Sequence, residues 1–121
     1  MCCLVWNIIF YEKADGTFPV QEFLDTLPSK HSAKAAWEIE LLRNSGASLG
    51  MPYVKHIEGK LWELRIKYSS DISRIFYFVP TEDDIVLLHG FVKKSIKTPP
   101  GEIKTAKKYL EDYERSCKDD L

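Results

Sequence analysis

Between Leu61 and Val92 apolar and polar residues fall into strand-like runs, and these limit the fold more than any other feature. Trp62, Leu64 and Ile66 alternate with Glu63, Arg65 and Lys67. Successive side chains of a strand point to opposite faces, so this period predicts a half-buried β-strand. Ile72 to Val79 is a second run, rich in the β-branched and aromatic residues that suit a pleated surface. Pro80 and Glu82-Asp83-Asp84 mark a turn, and Ile85 to Val92 is a third strand. Three consecutive strands with short connections predict an antiparallel meander. Arg65, Arg74, His89, Lys93 and Lys94 sit inside or just beyond these runs. A charge among apolar neighbours is costly unless it meets an anion or an open, solvated face.

The flanking segments supply the other elements. Leu4 to Tyr11 is a strand with Leu4, Trp6, Ile8 and Phe10 on one face. Pro19 suits a first helical position, and Val20, Phe23, Leu24 and Leu27 follow at helical spacing, so 19–27 is a short amphipathic helix. Ser29 is a candidate N-cap for a second helix from Lys30 to Asn44. Its buried stripe is Ala33, Ala36, Trp37 and Leu41, broadened by Ile39 and Leu42, with Gly46 as C-cap. His31, near the helix start, is expected to be a solvated surface residue. Tyr53 to Ile57 has strand character, with a turn or bulge at Glu58-Gly59. Thr98 as N-cap, Pro99 at the first position and Glu102 in the first turn predict a last helix. Ile103, Ala106, Leu110 and Tyr113 form its apolar face, it ends near Arg115, and 116–121 is expected to be a frayed acidic tail. The expected order is β-α-α-β-β-β-α. This is an α+β fold in a single domain, 1–121, whose antiparallel-dominated sheet has helices on one face and a partly open second face.

Composition narrows the function classes. With 121 residues and 45% hydrophobic content the chain can bury a core without staples. Of its three cysteines, Cys2 and Cys3 are adjacent and Cys117 lies at the other end, so neither a disulfide framework nor a zinc site is indicated, and a reducing cytoplasm fits. The apolar start lacks a basic leader region and is too short for a membrane span. The formal net charge of −1 hides an asymmetry. Residues 1–54 carry 4 basic and 6 acidic side chains, 55–108 carry 11 and 7, and 109–121 carry 2 and 5. The central excess can attract a polyanion.

Nucleotide-binding glycine loops, zinc motifs with paired histidines and catalytic serine elbows are all missing from the sequence. What remains is the cationic set. Arg65 shares a face with Lys67, Arg74 with Phe76, and His89 with Phe91 and Lys93. If these faces meet, they surround a concavity with arginine forks for phosphate, aromatics for stacking and a histidine for proton transfer. Structural roles compete: ion pairs of Arg65 and Arg74 with Glu63 or Asp71, a hydrogen-bonded core His89, and Lys93, Lys94 and Lys97 as a solvated exit from the sheet.

Several of these stretches carry a resemblance. Leu-Trp-Glu-Leu-Arg at 61–65, Arg-Ile-Phe-Tyr at 74–77, His-Gly-Phe-Val-Lys-Lys-Ser-Ile-Lys-Thr-Pro at 89–99, then Glu102-Ile103 and Ala106, are similar to the phage-derived, HigB-type branch of the RelE/HigB toxin superfamily. The resemblance implies a RelE-like fold and a cytoplasmic toxin of a type II toxin–antitoxin pair. It implies a metal-independent, cofactor-free, ribosome-associated mRNA endoribonuclease, in which the RNA 2′-hydroxyl attacks and a cyclic phosphate remains. Arg65, Arg74, His89, Lys93 and Lys94 would be catalytic; Lys67, Phe91 and Lys97 would bind RNA. The partners would be the ribosome, its mRNA and a small helix-turn-helix antitoxin. A ParE-like DNA gyrase poison and an inactive phage-related interaction module stand as alternatives. The tyrosine that some members use near the C-terminus has no counterpart at Pro99-Pro100.

Overall fold

The computed structural model describes residues 6–46, 53–68, 71–93 and 99–119, the side chains of 71, 93 and 117–119 excepted. In chain order the elements are β1 (Asn7–Phe10), α1 (Pro19–Asp25), α2 (Ser29–Ser45), β2 (Val54–Glu58), β3 (Leu61–Tyr68), β4 (Asp71–Phe78), β5 (Asp84–Lys93) and α3 (Pro100–Asp119). They build an α+β fold around one five-stranded sheet of order β1-β5-β4-β3-β2. β2 to β5 form the antiparallel meander that short turns impose, and β1 adds parallel to β5. A parallel neighbour needs a long crossover, which α1 and α2 supply within a path that returns through the meander.

Two expectations about the layout are corrected. The segment after Tyr53 is a full strand, β2, paired with β3 across Gly59 at φ +53°, so there are five strands where the expected order counts four. The helices also do not share one face. α1 and α2 pack with Leu64, Ile66, Ile75, Tyr77, Ile85 and Leu87, whereas α3 packs with Leu61, Phe76, Phe78, Val86 and Leu88. The physical reason lies in β4 and β5. Residues 75–78 and 85–88 are all buried, and a strand apolar on both sides needs cover on both sides.

α2 is rotated from its expected stripe. It buries His31, Ala35, Glu38, Ile39 and Leu42, while Ala33 and Ala36 are exposed and Trp37 is 54% exposed. Lys34 Nζ lies 4.5 Å over the Trp37 ring and 3.0 Å from Glu38. His31 is 2% exposed, not solvated: its Nε2 lies 2.7 Å from the Ser73 hydroxyl, and its ring stacks on Tyr68 at 5.5 Å. His31, which finds its partners Ser73 and Tyr68 in the sheet, favours this rotation, a preference hydrophobic periodicity does not record. α3 runs to Asp119, past the expected end near Arg115. No helix among the described residues is long and apolar enough to cross a membrane.

Gly90 fixes how α1 sits. A Cβ there would fall 2.4 Å from the Phe23 ring, so the ring lies against bare backbone of β5. Gly90→Ala is expected to cost about 1–3 kcal/mol by overpacking. Urea unfolding of Gly90→Ala, Phe23→Leu and the double variant measures it. The double variant should recover part of the loss; strictly additive losses would show that the two residues do not press on one another.

Candidate functional site

The site residues lie on the α3 face of the sheet. Pairing sets them in three cross-strand rows: Glu63, Phe76 and His89; then Arg65, Arg74 and Phe91; then Lys67, Ile72 and Lys93. A bulge in β5 makes this alignment. Phe76 pairs with His89 and Tyr77 with Leu87, leaving Leu88 without a β4 partner. The extra residue reverses the alternation, so that both Leu88 and His89 belong to the α3 side. α3 covers this face over Phe76, Phe78, Val86 and Leu88. Beyond it the rows open: Arg65 and Ile72 are half-buried, and Lys67 is exposed.

Arg74 is not on open ground. It is 5% exposed, and its Nη1 lies 3.1 Å from Oε2 of Glu63, itself 1% exposed. Both Glu63 oxygens and Arg74 Nε lack a well-directed hydrogen bond. Burial draws the Arg74 guanidinium below its ordinary pKa; the Glu63 carboxylate opposes that shift and the Arg65 charge adds to it. Thus Arg65 and Arg74 are direct cross-strand neighbours of like charge, and Glu63 neutralises the inner one. Arg65 makes no ion pair among the described residues, which leaves its charge for the open side.

His89 has the surroundings of a working imidazole. Its Nε2 lies 3.2 Å from Oε2 of Glu102, with both side chains partly exposed. Glu102 stands in the first turn of α3, where the helix dipole favours a carboxylate. Phe76 and Phe91 stack on the His89 ring at 6.5 and 6.2 Å, and Tyr109 meets it edge-on at 6.0 Å. Tyr109 in turn stacks on Tyr11 at 4.9 Å, whose hydroxyl donates to Asp112 at 2.5 Å. Burial and that carboxylate push the Tyr11 phenol above its ordinary range. A carboxylate on Nε2 fixes the ring and leaves Nδ1 to exchange a proton with a substrate.

The structure thus gathers Arg65, Lys67, Arg74, His89 and Phe91 on one face. The Lys93 backbone ends the third row; its side chain, and all of Lys94 and Lys97, lie outside the described residues. Glu102 and Tyr109 belong to the same constellation but are not nominated from the sequence; Glu63 is named there only as a competing ion-pair partner of Arg65 and Arg74, and the structure makes that pair with Arg74. The signal for Glu63 was its shared parity with Arg65; Glu102 was visible only as a helix-start residue, because the docking angle of α3 is a tertiary fact. Among the described residues no group of three or more His, Cys, Asp or Glu side chains is placed to hold a metal ion.

The buried pair changes what the sequence implied for Arg74, a residue whose loss should abolish activity but spare the fold. Arg74→Met alone is expected to destabilise by about 3–5 kcal/mol, because it strands the Glu63 carboxylate. Glu63→Leu with Arg74→Met should recover most of that loss in chemical denaturation. A double variant no more stable than Arg74→Met would show that the ion pair is not what holds the arginine.

No curated protein sequence matches the chain. The family model described as Phage derived protein Gp49-like (DUF891) matches residues 22–111, which span both sheet faces, the Arg74–Glu63 pair and the His89–Glu102 pair. The chain therefore belongs to the phage-derived Gp49-like family, a toxin family of the RelE/HigB-like superfamily type.

Proposed function

We propose that the chain is the toxin of a type II toxin–antitoxin pair and cuts mRNA on the ribosome without a metal ion. Family membership is consistent with a toxin–antitoxin toxin and suggests an antitoxin partner. The observation that carries the chemical step is the His89–Glu102 pair, 3.2 Å apart and partly exposed on the face that bears Arg65. An RNA 2′-oxygen attacks the adjacent phosphorus, the bond from phosphorus to the 5′-oxygen breaks, and a 2′,3′-cyclic phosphate and a 5′-hydroxyl result. His89 Nδ1 takes the 2′-hydroxyl proton as base while solvent water protonates the departing 5′-oxygen, or, starting protonated, delivers its proton to that oxygen while solvent water takes the 2′-hydroxyl proton. Glu102 orients the ring and stabilises its cation. Arg65 offsets the charge that builds on the phosphate oxygens. Arg74 acts from behind, holding Glu63 and keeping Arg65 outward. Phe91 and Lys67 line the approach of the chain, and Lys93, Lys94 and Lys97 are assigned to the RNA by the resemblance alone. A small helix-turn-helix antitoxin silences the toxin by covering this cationic rim or blocking its approach to the ribosome.

A second reading has one observation in its favour. Arg74 is occupied by Glu63, so fewer cations face outward than its position suggests, as suits an interaction module without catalysis. Inducing the chain alone separates the readings. Growth arrest with cleaved mRNA bearing 5′-hydroxyl ends is expected, and His89→Ala should lower cleavage by about 10²–10⁴-fold. Glu102→Gln should cost less than His89→Ala. Arrest with intact transcripts and trapped gyrase–DNA complexes would identify a gyrase poison instead; no arrest would favour the inactive module. A phosphorothioate at the scissile linkage whose cleavage returned only with a thiophilic metal ion would contradict the metal-independent step.

The partner claim is checked on the adjacent reading frame. Its product is expected to co-purify with the toxin, relieve growth arrest, and slow hydrogen exchange in α1, α2 or at the rim around Arg65. A product that neither binds nor relieves arrest is not the antitoxin.

A further inference from the structure

Two cavities flank α3 and both carry cations: Lys104, Lys107 and Lys108 with Glu58 and Glu111 on the β2 side, and Lys13, Lys108 and Arg115 on the β1 side. Toward β2 and β3, Lys107 Nζ is 3.5 Å from Glu58 and Lys60 Nζ is 2.6 Å from Glu114. Toward β1, a cavity of about 400 Å³ separates α3 from the loop after β1. Lys13 stands on one wall; Lys108 and Arg115 stand on the other. None of these three makes an ion pair with a described residue. The cavity also holds Glu111 and Asp112, but the Asp112 carboxylate accepts the buried Tyr11 hydroxyl. Lys13 also feels the Asp15 carboxylate, whose pKa is lowered by hydrogen bonds from Thr17 and, to a lesser extent, by the Lys13 charge. Three cations outside ion-pair distance thus face Glu111, the engaged Asp112 and, at Lys13, Asp15.

The walls are firm. The Lys13 carbonyl accepts from Gly16 N–H at 2.9 Å, and Lys13 N–H donates to the Thr17 carbonyl at 2.8 Å, so the lysine sits on a closed turn. On α3, Lys108 and Arg115 are spaced i, i+7 and present one face to the cavity. Tyr109 is one of the cavity's lining residues, and its ring is edge-on to His89 at 6.0 Å. One aromatic ring therefore separates this cationic cavity from the imidazole. That separation is on the scale of neighbouring nucleotides in a single strand, and the ring offers a face or edge to the base between them. Lys13 and Arg115 lie outside the residues that the family model matches.

We propose that the cavity between Lys13, Lys108 and Arg115 is a phosphate subsite for single-stranded RNA, holding a phosphodiester next to the one presented to His89. This rests on the endoribonuclease reading above, and it gives the RNA a path along the β1 side of α3, since the sheet beneath the helix is closed. Lysine and arginine here act as positioning residues: they tether a phosphate that does not react, and so add to binding more than to the chemical step.

The test uses the full chain and a short fluorescein-labelled single-stranded RNA whose 2′-O-methyl riboses block cleavage. Anisotropy is measured over a salt series for wild type, for Lys13→Gln/Lys108→Gln/Arg115→Gln, and for the charge-matched control Lys30→Gln/Lys55→Gln/Lys60→Gln. The first triple variant is expected to bind at least about tenfold more weakly, with a salt slope shallower by about 0.7, as the loss of one phosphate contact on a single strand requires. In ribosomal mRNA cleavage it should need a correspondingly higher concentration, while the saturated rate stays within about twofold. Lys108→Glu, a single exposed change checked by circular dichroism, should weaken binding in the same direction. A triple variant that binds and cleaves like the control overturns the subsite and leaves the endoribonuclease reading standing. A wild type that neither binds nor cleaves RNA overturns both. Unchanged RNA binding with a weakened antitoxin complex would assign the cavity to an acidic protein surface and overturn the RNA subsite.

Discussion

The fold depends on β4 and β5 being apolar on both faces. Ile75, Phe76, Tyr77 and Phe78 are buried in sequence, as are Ile85 to Leu88 on the neighbouring strand. Leaving Phe76 and Phe78 in water would forfeit about 1.5–3 kcal/mol each. A single layer of helices covers only one side of such strands. α1 and α2 therefore take the side of Ile75 and Tyr77, and α3 takes the side of Phe76 and Phe78. β1 pairs with the outer edge of β5. The candidate site begins where the α3 cover stops, at the row that holds Arg65 and Arg74.

Two local devices turn this scaffold into a site. The β5 bulge brings His89 to the face of Phe76 and Arg74, where strict alternation after Leu88 would have sent it toward α1. The Glu63–Arg74 pair then sorts two adjacent arginines into an inner, neutralised one and an outer one. An isolated buried guanidinium would be costly, and two free ones side by side would repel. With Glu63 on Arg74, Arg65 is left without an ion pair among the described residues on the half-buried side. The same carboxylate that makes Arg74 tolerable thus sets Arg65 apart as the arginine without such a pair on this face.

Much of this was legible in the sequence, and the misses have physical causes. Period-2 alternation gave β3 and put Glu63, Arg65 and Lys67 on one side, and the apolar runs gave β4 and β5. Parity alone also linked Arg74 to Phe76 and His89 to Phe91. Whether those faces coincide depended on one bulged residue, which leaves no mark in the sequence. The runs at 75–78 and 85–88 did hold the evidence for two covered faces, since unbroken apolar stretches suit strands buried on both sides. His31 was misplaced because its hydrogen bond to Ser73 spans 42 positions and polar burial follows partners rather than periods. Glu102 was read as a first-turn carboxylate because helix-start chemistry is local, whereas its approach to His89 is set by the docking of α3.

The near-neutral total charge is less of an obstacle to a polyanionic partner than it first looks. At physiological ionic strength the Debye length is about 8 Å, so a bound chain feels nearby charges and little of the whole. The acidic groups of this protein are unevenly committed. Glu58, Glu63 and Glu114 are each tied to a cation, Glu102 lies against His89, and Asp112 takes the Tyr11 hydroxyl. Arg65, Lys13, Lys108 and Arg115 make no such pair among the described residues. Pairing removes equal numbers of both signs from the field but leaves the unpaired cations local and directional. An acidic C-terminal stretch can therefore lower the net charge without cancelling attraction at the face that matters, and it also limits indiscriminate binding to other polyanions. A weak total charge with a few uncommitted cations favours selectivity over raw affinity for a polyanion.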